Sequence, residues 1–424
     1  MSGNFPTRES IVSRQLAQLR HLLGAILPAN AFYRNKFAGF DPAIASLEDF
    51  QTRFPFTTKA ELAEDQRRQP PFGGNLTFPM DRYTHFHQTS GTSSNPLRWL
   101  DTPESWNAMV ESWKEIYRVA GVGADDRVYF AFSFGPFIGF WLAFDAARNL
   151  GCLCIPGGGL NSQGRVRAIL DNQATALCCT PSYAVRLAEV AAGTPFPSLR
   201  TIIVAGEPGG SIPATRARLQ QRWPGARIFD HHGMTETGPV SYECPKQPGT
   251  LHILESAYLP EIIDESGNPS RAGEIGELVL TTLGRLGSPV IRYRTGDLVR
   301  TANAQTCGCG RQDIALFGGI MARCDEMVIV RGVNVYPTAV EDVLRRFVEI
   351  AEYQAEVDRS GTLVELRMRI EPSPDCAQRD SLATSVEAAL HAAFNLRVPV
   401  ILVERDTLPR FEMKGKRWIT KSAL

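Results

Sequence analysis

The segment HQTSGTSSNP, residues 87–96, crowds small hydroxyl residues around one glycine. Thr89, Ser90, Gly91, Thr92 and Ser93 offer hydroxyl and backbone N–H donors close together, and Gly91 permits a tight bend. That composition suits a loop wrapped around phosphate oxygens, although a polar surface turn reads the same way. The stretch holds no lysine, so an anion bound there needs its countercharge from another part of the chain.

Four more segments bear on that anion. AGEPGG, residues 205–210, follows an apolar run, as a loop at a nucleotide's edge would, and contains Gly206, Glu207 and Pro208. HHGMTETG, residues 231–238, sets His232, Gly233, Thr235 and Glu236 past another such run, where one carboxylate suffices to hold Mg²⁺ on a phosphate. RYRTGDL, residues 292–298, reads as a strand and then a tight turn, with Asp297 suited to accept hydrogen bonds from two ribose hydroxyls. LPRFEMKGKR, residues 408–417, presents Lys414 and Lys416. Taken singly, each also fits an ordinary strand-end turn or a solvated basic segment.

Two further groups have chemistry of their own. Cys244 and His252 in CPKQPGTLH, followed by Cys307 and Cys309 in CGCGR, supply three thiols and one imidazole. That set is sufficient for a closed tetrahedral zinc site that staples two β-rich loops and leaves no position open for substrate. The spacing is not that of a standard finger, and free thiols are the alternative. FAFSFGPFIGF, residues 130–140, contains Phe132 and Phe137, which serve either as the wall of an aromatic pocket or as ordinary core.

The elements that must position these residues follow from patterning. The 424 residues leave room for two or three domains. Basic and acidic side chains balance at 45 each, so no basic stripe points to nucleic acid. Val128–Phe144 is uncharged, but it is slightly short for a bilayer span and is broken at Gly135-Pro136. It reads as a buried strand, a turn and a core helix ending at Gly151, so no membrane partner is expected. The N-terminus lacks an apolar signal region and the nine cysteines fit reduced thiols, which together suggest a cytoplasmic protein. Cys178-Cys179 reads as core.

Apolar runs alternate with amphipathic helical stretches up to about residue 250, implying a parallel sheet covered on both faces with sites at the strands' carboxyl ends. From there GELVLTT and VIRYRTGDLVR read as antiparallel strands. A compact α/β unit begins after residue 322, in which Thr338 and Glu341 are read as a capping box opening a helix. The expected fold class is therefore α/β. Residues 1–322 form a large domain of mostly parallel sheets flanked by helices plus a β-rich subdomain, and residues 323–424 form a small, mobile α/β domain.

In their order, these motifs resemble the superfamily of adenylate-forming enzymes, which includes acyl-CoA synthetases, luciferases and peptide-synthetase adenylation domains. NAFYRNKFAGF, FPFTTKAEL, LCCTPSYA, IRYRTGDL and MVIVRGVNVYP are more closely similar to the phenylacetate–coenzyme A ligase family, over essentially the whole chain. The resemblance implies a ligase that uses ATP, Mg²⁺ and coenzyme A to convert an aryl carboxylic acid to its thioester, and it suggests a homodimer. It assigns Thr89–Ser93 to the ATP phosphates, Gly206, Glu207 and Pro208 to one face of adenine, and His232 to the other face. Thr235 would contact phosphate, Glu236 would hold Mg²⁺, Asp297 would bind ribose, and Arg323–Asp325 would form the hinge. Phe132 and Phe137 align with walls of the acyl pocket. Alignment on Leu-Pro-Arg puts the catalytic lysine at Lys414, with Lys416 as the alternative. Some members carry a similar cysteine–histidine cluster. This chain departs from the family where the phosphate loop usually ends Gly-Lys-Pro, since here it reads Ser94-Asn95-Pro96.

The implied chemistry needs no general base, because a carboxylate is already ionised at neutral pH. The difficulty is to bring two anions together, so charge neutralisation and in-line positioning dominate. A lysine on a domain that turns can stabilise the adenylation transition state and then withdraw to admit a thiol. Transfer to the phosphopantetheine arm of a carrier protein is the alternative second step. A non-catalytic, zinc-stapled nucleotide- or acyl-binding protein is the alternative of another class.

Overall fold

The computed structural model describes residues 5–89, 96–301, 307–359, 364–374, 376, 378–411 and 415–421. Five strands form one fully parallel sheet, in the spatial order Leu153–Pro156, Arg127–Phe130, Ala176–Cys179, Thr201–Val204, Arg227–Asp230. The helices Ile138–Asn149, Ser162–Asp171, Pro181–Ala191 and Pro213–Arg222 separate these strands in the chain. Side chains alternate across the sheet as strand geometry requires. Val128, Phe130, Ala176, Cys178, Ile203 and Phe229 join one apolar core, and Tyr129, Leu177, Cys179, Ile202, Val204 and Ile228 join the other. Covering both faces explains why these strands read as continuous apolar runs.

Helix starts follow local chemistry. Thr102 caps the helix Pro103–Ala120 through the Ser105 N–H, Pro103 occupies its first turn, and Gly121 ends it with a left-handed φ of 79°. Trp106, Met109, Val110, Trp113 and Tyr117, at three- and four-residue spacing, form its buried face. Thr180 and Pro181 open the helix Pro181–Ala191 in the same way.

Between residues 241 and 323 the strands pair antiparallel. One sheet runs Tyr258–Ile263, Ile275–Thr282, Tyr293–Arg300, Ala322–Arg323. A second runs Ser241–Glu243, Thr250–Ile253, Ala315–Phe317. Asp297 does not sit in a turn after a strand, as its sequence suggested. It lies inside Tyr293–Arg300 at a register shift between Glu277 and Val279. Gly296 has a φ of 78°, and its N–H donates to Glu277 Oε1 at 3.1 Å, which holds the bulge within the sheet.

The C-terminal unit has its own apolar core, including Val330, Val340, Leu344, Ile350, Met368, Val386 and Leu390. Its sheet runs Val400–Leu402, Glu365–Pro372, Ile350–Asp358, Trp418–Lys421, with an antiparallel central pair and parallel outer pairs. The expected capping box does not form. The helix Pro337–Arg345 starts on Tyr336 without a side-chain cap. Pro337 lacks an N–H to satisfy, the Thr338 hydroxyl donates to Met321 O at 2.5 Å, and Glu341 is engaged by Arg345. This unit packs on the large one. Arg218 Nη2 donates to Ile350 O at 2.9 Å, and Arg417 Nη1 donates to Ser182 Oγ at 2.8 Å. Among the described residues no helix is long and apolar enough to cross a membrane.

Candidate active site

The carboxyl ends of Ala176–Cys179, Thr201–Val204 and Arg227–Asp230 open onto a cavity of about 390 Å³, closed on another side by Tyr293, Asp297 and Arg323. Ligands in open parallel sheets bind at this end of the strands. The structure brings Thr89, Phe132, Phe137, Gly206, Glu207, Pro208, His232, Gly233, Thr235, Glu236, Asp297, Arg323 and Asp325 to this one cavity. Ser90, Gly91, Thr92, Ser93, Asn95 and Lys414 lie outside the described residues.

Asp297 anchors the polar side. Its Oδ1 accepts from Arg323 Nη1 at 2.7 Å, and its Oδ2 lies 3.0 Å from His232 Nε2. Burial pushes the Asp297 carboxyl up, but the His232 hydrogen bond and the Arg323 charge outweigh it and leave the group below its ordinary value. It therefore stays an acceptor across the physiological range. Arg323 also pairs with Asp325, at 2.9 Å from Nε to Oδ1, linking Asp297 to the segment that enters the C-terminal unit. His232 Nδ1 is buried without a partner among the described residues.

Thr235 and Glu236 sit in the turn between Gly233–Met234 and Gly238–Pro239. That turn is tied down from outside. Arg285 donates from Nη1 to Thr235 O at 2.8 Å, while its Nε and Nη2 grip Asp101 at 2.7 and 2.6 Å. Glu236 Oε1 accepts from the Tyr293 hydroxyl at 3.3 Å and lies 3.6 Å from Lys59 Nζ. Lys59 also lines the cavity and was not among the residues read from sequence. It lies within FPFTTKAEL as the first helical residue after Thr58, whose capping box with Glu61 fixes the start of Lys59–Arg68.

Glu207 joins three segments. Its Oε1 accepts from the Ser182 N–H at 2.8 Å, at the start of Pro181–Ala191. Its Oε2 accepts from the Gly415 N–H at 2.7 Å. A carboxylate at a helix N-terminus satisfies a donor that the helix itself cannot.

The apolar side includes Phe132, Phe137, Ile138, Leu142, Ile203 and Trp113. Trp113 was also missed, since its helical spacing is that of any core residue.

Away from the cavity, Cys244, His252, Cys307 and Cys309 offer ligand atoms that all lie within 4.8 Å of one another. Cys244 Sγ is 3.2 Å from Cys307 Sγ, and Cys309 Sγ is 3.4 Å from His252 Nε2. His252 Nδ1 lies 3.1 Å from Asp313 O, and since a carbonyl only accepts, Nδ1 carries the proton and Nε2 is left facing the thiols.

A fold with this cavity matches known proteins. Residues 58–284 match the family model "AMP-binding enzyme", and residues 332–421 match "AMP-binding enzyme C-terminal domain". The chain belongs to the AMP-binding enzyme family and is an acid–thiol ligase of the AMP-forming type, which activates an acid with ATP to acyl-AMP and forms the coenzyme A thioester. Among its relatives, the phenylacetate-coenzyme A ligase of Thermus thermophilus is 34% identical over 377 residues, which span 86% of this chain and 82% of that protein. The crystal structure of 2-hydroxyisobutyryl-CoA ligase in the postadenylation state with R3-HIB-AMP superposes with a TM-score of 0.91 at 29% identity, covering 98% of this chain and 90% of the other. The same ligase in the thioesterification state, with 2-HIB-AMP and CoA, gives 0.73 at 28% identity and covers 98% and 91%. The arrangement of the two units here is thus nearer to the first state.

Proposed function

We propose that this ligase activates an aryl or arylacetic acid. The observation that carries the reading is one cavity lined both by Trp113, Phe132 and Phe137 and by Thr235, Glu236, Asp297 and Arg323. A ring fits the first set by edge and face contacts, and its carboxylate then lies toward the groups proposed for the nucleotide. Asp297 binds the ribose hydroxyls, Glu236 holds Mg²⁺ with Thr235 on phosphate, and Gly206, Glu207 and Pro208 border adenine opposite His232. Thr89 to Ser93 wrap the phosphates.

The cation absent from that loop comes from two other places in this reading. Lys59 stands beside Glu236, and Lys414 immediately precedes Gly415, which meets Glu207 at the cavity. Residues 1–322 bind the substrates, and residues 323–424 form a lid turning about Arg323–Asp325. The separate apolar core of the C-terminal unit supports that division. Zinc fits the cysteine–histidine cluster. Four ligands at zinc–sulfur distances of about 2.3 Å stand roughly 3.8 Å apart around a tetrahedron, close to the spacings found, and the site has no catalytic part. A cytoplasmic homodimer completes the reading, on the family resemblance and the cysteine usage.

The test is AMP formation with coenzyme A over a broad panel of aryl and arylacetic acids. Turnover of aliphatic acids alone would overturn the aryl assignment.

A further inference from the structure

We propose that His231 reads a hydrogen-bond donor, a hydroxyl or an amine, on the acyl part of the acid, so that the preferred substrate is a donor-substituted aryl acid. This rests on the aryl-acid reading above. His231 directly follows strand Arg227–Asp230 and lines the cavity together with Trp113. The two rings lie 4.4 Å apart, centroid to centroid, at 58°. His231 Nδ1 is 2.7 Å from the carbonyl oxygen of Ser241. A carbonyl cannot donate, so Nδ1 carries the proton and the ring is held in one orientation.

The residue is 5% exposed. Burial drives its pKa down to about 3, against the opposing pull of the Ser241 hydrogen bond, so the ring is neutral. A neutral ring protonated on Nδ1 leaves a lone pair on Nε2, and among the described residues nothing donates to it. Several neighbouring cavity side chains are apolar, and the Cys178 and Asp230 side chains are engaged elsewhere. Phe132, Ile138, Leu142, Ala143 and Ile203 have no polar side-chain atom. The Cys178 thiol lies 3.6 Å from the Tyr117 hydroxyl. The Asp230 carboxylate accepts from the Ser211 hydroxyl and from the His231 N–H. His231 Nε2 is therefore an acceptor on a ring of fixed orientation, beside the apolar wall of Phe132, Ile138, Leu142, Ala143 and Ile203. Such a site discriminates by chemistry more sharply than by size, since a ligand without a donor leaves the lone pair desolvated and unpaired.

The experiment uses the full-length enzyme and ring-substituted benzoic and phenylacetic acids in matched sets: hydroxyl, amino and methyl at each ring position. At one position, kcat/KM for AMP formation should favour the donor over its methyl isostere by about 10–100-fold. In His231→Leu that ratio should collapse toward one. A wild-type enzyme that prefers no donor over methyl at any position overturns the proposal, and this comparison needs no variant to fold. A ratio that persists in both His231→Leu and His231→Phe also overturns it. Turnover of no acid in the panel removes the aryl-acid reading instead. Calorimetric binding of the same acid pairs in the presence of AMP then decides the subsite, with equal affinity for donor and methyl members counting against His231.

Discussion

Gly415 donates its backbone N–H to Oε2 of Glu207 at 2.7 Å, across 208 residues of sequence. The other oxygen of Glu207 accepts from Ser182 in the large unit, and Ser182 Oγ in turn accepts from Arg417. One carboxylate thus fixes the distance between the AGEPGG loop and the residue after Lys414. The contact belongs to the arrangement closest to a postadenylation state, so a domain rotation would break it.

Glu207→Ala should therefore slow the adenylation half-reaction by about 10-fold or more, the scale of a charge-assisted hydrogen bond of 1.5–3 kcal/mol. Thioester formation from supplied acyl-adenylate should fall much less. Pyrophosphate exchange and single-turnover thioester formation measure the two separately, and equal losses in both would show that Glu207 only supports its own loop.

Lys59 and Glu236 make a second prediction. Their 3.6 Å separation, with the lysine side chain 47% exposed, contributes little to stability. Lys59→Ala should leave the melting temperature within a degree or two, yet raise KM for ATP about 10-fold. Asn95→Lys, which restores the family's loop cation, should recover part of that loss in the Lys59→Ala background. An unchanged KM for ATP in Lys59→Ala would reduce the residue to a surface partner of Glu236.

The cavity was largely legible in the sequence because its walls are strand ends. An apolar run followed by glycine marks such an end locally, which is how Gly206, Thr235 and Glu236 were found. Asp297 was found but misplaced: Gly296 signals a turn, while the Glu277 carboxylate that keeps the bulge in the sheet comes from the neighbouring strand, nineteen residues earlier. Thr338 and Glu341 matched a capping pattern whose partners were taken by Met321 and Arg345. Lys59, Trp113 and His231 were missed because each gains its meaning from a distant residue. Only the fold brings Glu236 to Lys59 or Ser241 to the His231 ring.

The cysteine–histidine cluster gives a third prediction. Protein purified without chelators should contain about one zinc per chain by elemental analysis. Cys307→Ser should lower the melting temperature by several degrees, since it opens a staple between the Cys244 turn, the Thr250–Ile253 strand and the Cys307–Cys309 loop. Its effect on adenylation in folded protein should be small, because none of the four ligands lines the active-site cavity. A protein with no bound metal and a melting temperature indifferent to Cys307→Ser would leave the thiols as free side chains.

The last prediction concerns the choice between Lys414 and Lys416. Gly415, between them in the chain, is the residue whose N–H meets Glu207, which lines the cavity. The family resemblance favours Lys414. A mobile ammonium that meets negative charge only as the acyl-phosphate bond forms acts on the transition state more than on the bound substrates. Lys414→Ala should then lower the adenylation rate on the order of 10²–10³-fold with little change in KM for the acid. Thioester formation from acyl-adenylate should survive if, as proposed above, the C-terminal unit turns as a lid and carries the lysine away before that step. Lys416→Ala should be mild in both steps. Comparable losses in both half-reactions for Lys414→Ala would assign it a structural part. A larger adenylation defect in Lys416→Ala would move the catalytic charge two residues along the chain.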